Sequence, residues 1–364
     1  MLQRRRANRL ARTAVVAAAT LPLTLTLAGC GGSSSHATTA SPARCDTNRA
    51  AGTITYLTGF QYQGDTGILD VLEAQASGLY RDECLSVVIR PGTGDPGTAA
   101  QLVASGRAQL GEVGGASDVI TVADNGIAVE ALATYGNVPS VTLLTTPQIT
   151  DLTQLEGRTL GYKGAMPPEV TAMLQKAGVD VAKVHEVGVG YDPTILPRGQ
   201  VSALTAYKSN EPLQLRADHF AVTEWDPDHF GIRGTFNTII ANPAWVKAHP
   251  TAAQDFLRAT FHAYAACVAT PAPCVAAAAK ASGAGYDSAQ NEREWAAQTA
   301  EVTASQPAGT GLGSQSVSQW QPEASLLLAD GLIKKSPDLA GLIDEGPLLA
   351  IEHGATLVWP APTN

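Results

Sequence analysis

Short apolar runs alternate with amphipathic stretches from residue 53 onward. The runs "TITYLT" (53–58) and "LSVVIRP" are typical of strands. "GILDVLEAQASG" (67–78) and "DPGTAAQLVASG" (95–106) have the spacing of helices, and Asp95 is placed to cap the second one. "AQLGEVG", "SDVITVADNG" and "IAVEALATY" continue the pattern, which predicts βαβ units around a mostly parallel sheet.

The same alternation begins again at residue 141. "VTLLTT" and "RTLGYKG" predict strands, "ITDLTQLEG" a short helix, and "PPEVTAMLQKAG" (167–178) a helix opened by prolines. After about residue 243 the predicted elements are all helices, among them "PTAAQDFLRATFHAYAACVA". Two α/β lobes in one chain predict a cleft between them.

The N-terminus predicts export. A basic segment with five arginines and no acidic residue precedes the apolar stretch "AVVAAATLPLTLTLAG". This stretch is short and contains Pro22, which favours a secretory signal over a spanning helix, and the absence of the rest of the twin-arginine motif favours the general secretory route. "LAGC", ending at Cys30, resembles the bacterial lipobox, whose cysteine is lipidated and becomes the first residue of the mature protein. The alternative is a plain cleaved signal with an incidental cysteine.

The segment after Cys30 is rich in serine and threonine and has little apolar surface. We therefore expect a signal peptide at 1–29 and a lipid-anchored flexible linker at 30–45. Removal of the signal takes five positive charges with it, so the formal charge falls from −9 to −14. An acidic domain without basic clusters is a poor candidate for binding nucleic acid or anionic lipid. We expect its link to the outer face of the cell membrane to be the lipid alone.

Four further cysteines are predicted to form disulfides, because an even number outside the cytoplasm favours pairing. Cys267 and Cys274 flank a short loop between two predicted helices, and Cys45 with Cys84 would tie the N-terminal tail to the first βα unit. Four cysteines allow three pairings, and the other two stay open. The spacings lack C-x-x-C, so no metal site is expected.

Motifs of common extracytoplasmic enzymes are missing from the sequence. It contains no G-x-S-x-G, S-x-x-K or H-E-x-x-H. We therefore expect no catalytic residues, no cofactor and no enzymatic activity.

Four segments resemble a known family. They are "ITYLTGFQYQGDTGILDVLEAQASGLYRDECLSVVI", "AAQLVASGRAQLGEVGGASDVI", "GYDPTILPRGQVSALTAYKSNEP" and "NPAWVKAHPTAAQDFLRATFHAY". Their order and spacing across residues 50–270 resemble type II periplasmic solute-binding proteins of ABC importers. The similar branch contains aliphatic-sulfonate, taurine and thiamine-precursor (pyrimidine) binding proteins, and shares its fold with thiamine-pyrimidine synthases.

This resemblance implies a two-lobed α/β type II periplasmic-binding-protein fold with a helical C-terminal part. Lobe 1 would comprise 46–138 plus 237–364, and lobe 2 would comprise 139–236. The implied function is that of an extracytoplasmic lipoprotein, expected to be monomeric, which captures a small solute by cleft closure and delivers it to a permease and its ATPase. Alternatives are a binding protein for sulfonate, taurine or nitrate, a lipoprotein sensor and, less favoured, a synthase-like enzyme, whose cysteine-rich motif is missing here.

Three loops at predicted strand ends are candidates for binding the solute. "TGFQYQGDT" offers Phe60 and Tyr62 for stacking and Asp65 for accepting hydrogen bonds. "GGASD" offers Ser117 at a helix start, where capping is the alternative role. In the second lobe "GYKGAMPPE" offers Tyr162 and Gly164, whereas we expect Lys163 to be solvated.

The segment "YKSNEP" completes the candidate site. It resembles the family's "N-E" pair, which implies that Glu211, with Asn210 beside it, holds the aminopyrimidine. The alternative is a solvated loop before a helix. The pyrimidine binders' "D-W-F-P-N" is replaced here by "TGFQY", and no Arg or Lys for a sulfonate is obvious in the cleft. These departures favour a neutral or cationic heterocycle, such as a pyrimidine or another vitamin precursor.

Overall fold

The structure is a computed structural model that describes residues 40–362. The predicted signal peptide, Cys30 and most of the predicted linker lie outside the described residues. A helix, Pro42–Ala50, begins inside the segment expected to be a linker, with Ser41 accepting a hydrogen bond from the Arg44 N–H at its start. The last residues of that segment are therefore folded.

Strands occur where the apolar runs predicted them, and the chain has further strands that these runs did not predict, among them Thr223–Trp225 and Phe236–Ala241. The short hairpin β11–β12 lies in a region for which the sequence predicted helices only, and its strands of two residues each are too short for a periodic signal. The strands are β1 (Thr53–Leu57), β2 (Ser86–Arg90), β3 (Leu110–Val113), β4 (Glu130–Gly136), β5 (Val141–Thr145), β6 (Thr159–Tyr162), β7 (His185–Gly188), β8 (Ala203–Tyr207), β9 (Thr223–Trp225), β10 (Phe236–Ala241), β11 (Glu352–His353) and β12 (Thr356–Leu357).

Five of the thirteen helices in residues 40–362 begin with a side chain that caps them. Asp95 accepts a hydrogen bond from the Thr98 N–H at 2.6 Å, as the sequence predicted, and Asn242 does the same for the Trp245 N–H at 3.0 Å. The helices are α1 (Pro42–Ala50), α2 (Leu69–Ala76), α3 (Leu79–Asp82), α4 (Pro96–Ala104), α5 (Ala116–Asp124), α6 (Pro168–Lys176), α7 (Glu211–Ala217), α8 (Pro243–Ala248), α9 (Pro250–Ala269), α10 (Pro271–Ser282), α11 (Ser288–Ser305), α12 (Val317–Ala329) and α13 (Gly346–Leu349).

The strands form two five-stranded sheets. The first has the order β2-β1-β3-β10-β4, with β1 parallel to β2 and β3, and with β10 antiparallel to both of its neighbours. The second has the order β7-β6-β8-β5-β9, with β5 antiparallel to β8 and β9. The chain crosses from the first sheet to the second after β4 and returns after β9.

Each sheet is covered by helices that bury its apolar residues. α2 and the long helix α9 pack on the first sheet, where Tyr56, Tyr80 and Phe256 form a buried aromatic group. The smaller core of the second sheet includes Leu160 and Met173. The predicted fold class, two-lobed α/β with a helical C-terminal part, is confirmed.

Two disulfides join the pairs that the sequence favoured, Cys45 with Cys84 and Cys267 with Cys274. The first attaches α1 to the turn after α3, and the second joins α9 to α10. α1 is also attached to α9 by the Arg44 guanidinium, which donates two hydrogen bonds of 2.7 Å to the buried Asp255 carboxylate.

Within residues 40–362, no single helix is long and apolar enough to cross a membrane. α9 and α10 are long and apolar enough only when they are counted together, and the chain bends by 117° between them.

Candidate functional site

A cavity of about 170 Å³ lies between the two sheets, and both lobes contribute to its wall. The loops that follow β1, β3, β6 and β8 meet here, as expected at the carboxyl ends of strands in α/β folds. We call it the central cavity. Its lining residues are Gly59, Phe60, Gln63, Asp65, Gly94, Pro96, Glu112, Val113, Gly114, Asp118, Ser140, Lys163, Tyr191, Tyr207, Ser209, Asn210, Glu211, Asn237, Glu294 and Gln298.

Aromatic rings from opposite lobes face the central cavity. Phe60 follows β1, and its ring lies 5.9 Å from that of Tyr191, which follows β7. Tyr207, the last residue of β8, is half exposed and contributes a third ring. Such faces can contact a planar solute from both lobes.

One lysine enters the central cavity. The Lys163 ammonium forms an ion pair with Glu211 and lies 5.4 Å from the centre of the Tyr207 ring. Burial lowers the pKa of Lys163 to about 8. The expectation that Lys163 is solvated is wrong, because the turn after β6 directs its side chain to the buried start of α7, where Glu211 is only 4% exposed.

Two carboxylates come from lobe 1, of which Glu112 is buried and Asp118 is partly buried. Glu112, near the end of β3, accepts a hydrogen bond from the Gly59 N–H at 3.0 Å and packs closely against Gly67, whose φ of +74° suits glycine. Asp118 accepts one from the Gly114 N–H at 2.7 Å. Burial, reinforced by Asp65, raises the pKa of Glu112 well above its usual range, and burial raises that of Asp118 to about 6.

Asn237 positions the loop that carries Asp65. Its side-chain amide donates to the Asp65 carboxylate at 2.6 Å and to the Thr66 carbonyl at 3.0 Å. Its backbone N–H donates to the Gly114 carbonyl at 2.8 Å. Asn237 has a φ of +51°, which asparagine tolerates better than most residues. One residue of β10 therefore fixes two loops of the cavity.

A second, wider space adjoins the central cavity between α7 and α11. We call it the side chamber; its volume is about 610 Å³, and Gln63, Asn210 and Glu294 line both spaces. Glu294 lies in α11, is 4% exposed, and has its pKa raised well above the usual range by burial and by the charge of Asp65.

No group of three or more His, Cys, Asp or Glu side chains in residues 40–362 is arranged to hold a metal ion. The described lining residues offer carboxylates, amides, hydroxyls, one paired ammonium and aromatic faces.

Comparison with known proteins assigns the family. A family model described as NMT1/THI5 like matches residues 65–273, which is more than half of the chain. The chain belongs to the NMT1/THI5-like family. No curated protein sequence matches this member of the family.

Solved structures similar to this NMT1/THI5-like protein are two-lobed binding proteins. The aliphatic sulphonate-binding protein of Escherichia coli has 15% identity and a TM-score of 0.61, over 86% of this chain and 97% of that one. The alkanesulfonate-binding protein of Xanthomonas axonopodis pv. citri, bound to MOPS, has 15% identity and a TM-score of 0.60, over 80% and 98%. The nitrate-binding protein of Synechocystis PCC 6803 has 13% identity and a TM-score of 0.57, over 82% and 87%. At these identities the likeness establishes the fold.

The structure brings together half of the site residues that the sequence singled out. Phe60, Asp65, Asn210 and Glu211 line the central cavity. Tyr62 instead lines the side chamber, because its hydroxyl donates to the Ile89 carbonyl at 3.1 Å.

The other three candidates do not line either space. Ser117 donates to the Glu323 carboxylate at 2.6 Å, on the side of α5 away from the central cavity. Tyr162 packs against the core of the second sheet, and Gly164 is exposed in the turn that directs Lys163 inward.

Several lining residues were not found from the sequence. Glu112 lies just before the glycine-rich segment already singled out and Asp118 is its last residue, so their proximity to Ser117 was an available signal. Tyr191 lies inside a segment that resembles the family, but its sequence has no motif of its own. Glu294 lies in a region whose pattern predicts only a helix, and its sequence carried no sign of a role in the cleft.

Proposed function

We propose that this protein is an extracytoplasmic solute-binding lipoprotein of an ABC importer. Residues 46–138 with 237–364, and residues 139–236, would act as two lobes that close over a small heterocyclic solute, a thiamine-precursor pyrimidine or similar vitamin precursor. A lipid on Cys30 would keep the monomeric protein at the outer face of the cell membrane, where it delivers the solute to a permease and its ATPase. We propose no catalytic step.

The central cavity carries this proposal. It lies between two sheets at their strand ends, as ligand clefts of two-lobed proteins do, and rings from both lobes face it. Its volume of about 170 Å³ suits a compact solute of about one ring. Carboxylate and amide groups between the rings can accept hydrogen bonds from ring amines.

Sulfonate or nitrate is the less favoured solute class. The solved structures include proteins named for these anions. In the present cavity, Lys163 is the one cationic side chain among the described lining residues, and Glu211 already neutralises it. An anion would therefore lie among carboxylates without a free positive partner, which costs energy in a buried site.

A thermal-shift panel on the purified full-length protein tests the proposal. A solute that binds only the folded protein raises its melting temperature. Pyrimidines, thiamine and riboflavin are compared with taurine and alkanesulfonates, and we expect the shift among the heterocycles. Shifts confined to the sulfonates would refute the solute class, and the absence of any shift would contradict the binding role.

A variant pair tests the site. Glu211→Gln should weaken binding of the shifting solute about tenfold or more, because a charge-assisted acceptor is lost. Glu186→Gln, an exposed carboxylate on β7, is the matched control and should bind as the wild type does. Unchanged affinity in Glu211→Gln would assign that residue to the loop structure alone. Uptake of the solute by the source bacterium should also be lost when the gene is deleted.

A further inference from the structure

The charged side chains of the central cavity indicate the charge of the solute as well as its ring type. Five carboxylates line this cavity, from Asp65, Glu112, Asp118, Glu211 and Glu294. The described lining residues include a single cationic side chain, Lys163. Once Lys163 and Glu211 are counted as a neutral pair, four carboxylates face one small space.

Two of these carboxylates are deeply buried without a cationic partner. Glu112 is 3% exposed and Glu294 is 4% exposed, and neither forms an ion pair within residues 40–362. Other cations near the cavity are engaged elsewhere: Lys208 pairs with Asp228, and Arg293 donates to the Gln290 amide. Burial raises the pKa of both groups well above the usual range, because ionising either one costs several kcal/mol when no positive partner lies beside it.

The two buried residues come from different elements of lobe 1. Glu112 lies on β3 beneath the loop after β1, and Glu294 lies on α11, where the central cavity joins the side chamber. Asp65 lies close enough to both for its charge to act on each. A positive group placed among these residues would contact carboxylates on more than one side.

Lys163 shows how a cation is held in this space. Its ammonium is paired with a carboxylate and faces the ring of Tyr207 at 5.4 Å, the combination by which proteins hold organic cations. The rings of Phe60 and Tyr191 line the same cavity as Asp65 and Glu112, and the face of an aromatic ring attracts a cation.

We infer that the solute carries a positive charge, as an amidinium, guanidinium or ammonium group on a small planar ring, and that Asp65, Glu112 and Glu294 balance this charge. The inference rests on the proposed function, because it assigns the charge of the solute that the central cavity binds.

Three probes of nearly equal shape test the inference. Benzamidinium is a planar cation, benzamide is its neutral counterpart, and benzenesulfonate is an anion. Binding of each to the purified full-length protein is measured by titration calorimetry at one pH and ionic strength. We expect benzamidinium to bind about tenfold or more tightly than benzamide, and benzenesulfonate to bind more weakly than either, because buried charge complementarity sets specificity.

Charge-removing variants locate the effect. Glu112→Gln and Glu294→Gln each keep the shape of the side chain and should reduce the preference for benzamidinium over benzamide, whereas Glu186→Gln on β7 should leave it unchanged. Melting temperatures show whether each variant is folded. The comparison of the three probes on the wild-type protein does not depend on the variants.

Equal affinity for benzamidinium and benzamide overturns the inference, as does a preference for benzenesulfonate or no binding of benzamidinium at its highest soluble concentration. None of these results decides whether the protein binds a solute, which the thermal-shift panel tests separately. A protein that binds heterocycles in that panel but shows no preference for the cationic probe has the proposed function with an uncharged solute.

Discussion

Replacing Glu323 with glutamine should stabilise the protein, and increasingly so as the pH rises. Glu323 lies in α12, is 1% exposed, and accepts hydrogen bonds from the Ser117 N–H at 2.9 Å and the Ser117 hydroxyl at 2.6 Å. The same hydroxyl lies 3.5 Å from the carboxylate of Glu169 in α6. Burial, followed by the charge of Glu169, raises the pKa of Glu323 from 4.5 to about 8.

The direction of the pH effect follows from where the proton is held. Between pH 4.5 and about 8, the folded protein keeps a proton on Glu323 that the unfolded chain has released. The folded state binds more protons in this range, so the stability of the wild type falls as the pH rises through it. Glutamine does not titrate and keeps an amide oxygen for the bonds from Ser117, so Glu323→Gln removes this loss.

The size of the effect is set by the separation of the two pKa values. At about 1.4 kcal/mol per pH unit, the stability gained in Glu323→Gln should grow from about 1 kcal/mol at pH 5 to about 4 kcal/mol at pH 8. Urea unfolding of the full-length wild type and variant at pH 5, 6.5 and 8 measures the difference, with Glu186→Gln as the exposed control. A gain that does not grow with pH, or a loss of stability at pH 8, would refute the reasoning.

Two further predictions concern the disulfides and the central cavity. Replacing the cysteines of the Cys45–Cys84 pair by serine should lower the free energy of unfolding by about 4 kcal/mol, and replacing those of the Cys267–Cys274 pair should lower it by about 2.5 kcal/mol. The first loss is larger because the longer of the two loops loses more chain entropy on closure. The reverse order in urea unfolding would contradict this. The affinity for benzamidinium should rise from pH 5 to pH 8, because burial raises the pKa of Asp118 to about 6 and a cation binds the ionised cavity. Calorimetry in two buffers of different ionisation enthalpy should show protons released at pH 5, and proton uptake there would contradict the prediction.

Local signals were sufficient for the fold and for part of the site. The alternation of apolar runs predicted β1 to β6 and the helices α2, α4, α5 and α6, because their periodicity and caps depend only on neighbouring residues. The two disulfides followed from cysteine placement around these elements, although the sequence alone left two other pairings open.

The directions in which individual side chains point were harder to predict from the sequence. Ser117 and Asp118 are adjacent in α5, and successive helical residues point about 100° apart, so Ser117 faces Glu323 while Asp118 faces the central cavity. Lys163 is buried beside Glu211, which comes 48 residues later and follows the neighbouring strand β8. Glu294 reaches the cavity from a helix that packs there through contacts distant in sequence. Such placements depend on tertiary packing, which a single sequence does not specify.

Asn237 affects when the candidate site forms during folding. The first lobe's sheet is incomplete until β10 inserts between β3 and β4, and the loops bearing Asp65 and Gly114 are fixed only when Asn237 bonds to them. The whole second lobe is synthesised before this residue. Pairings of such long sequence separation form late and slowly in folding. A chain that ends before β10 therefore lacks a finished half of the candidate site, and the binding proposed for this site would require the chain to have folded through its return crossing.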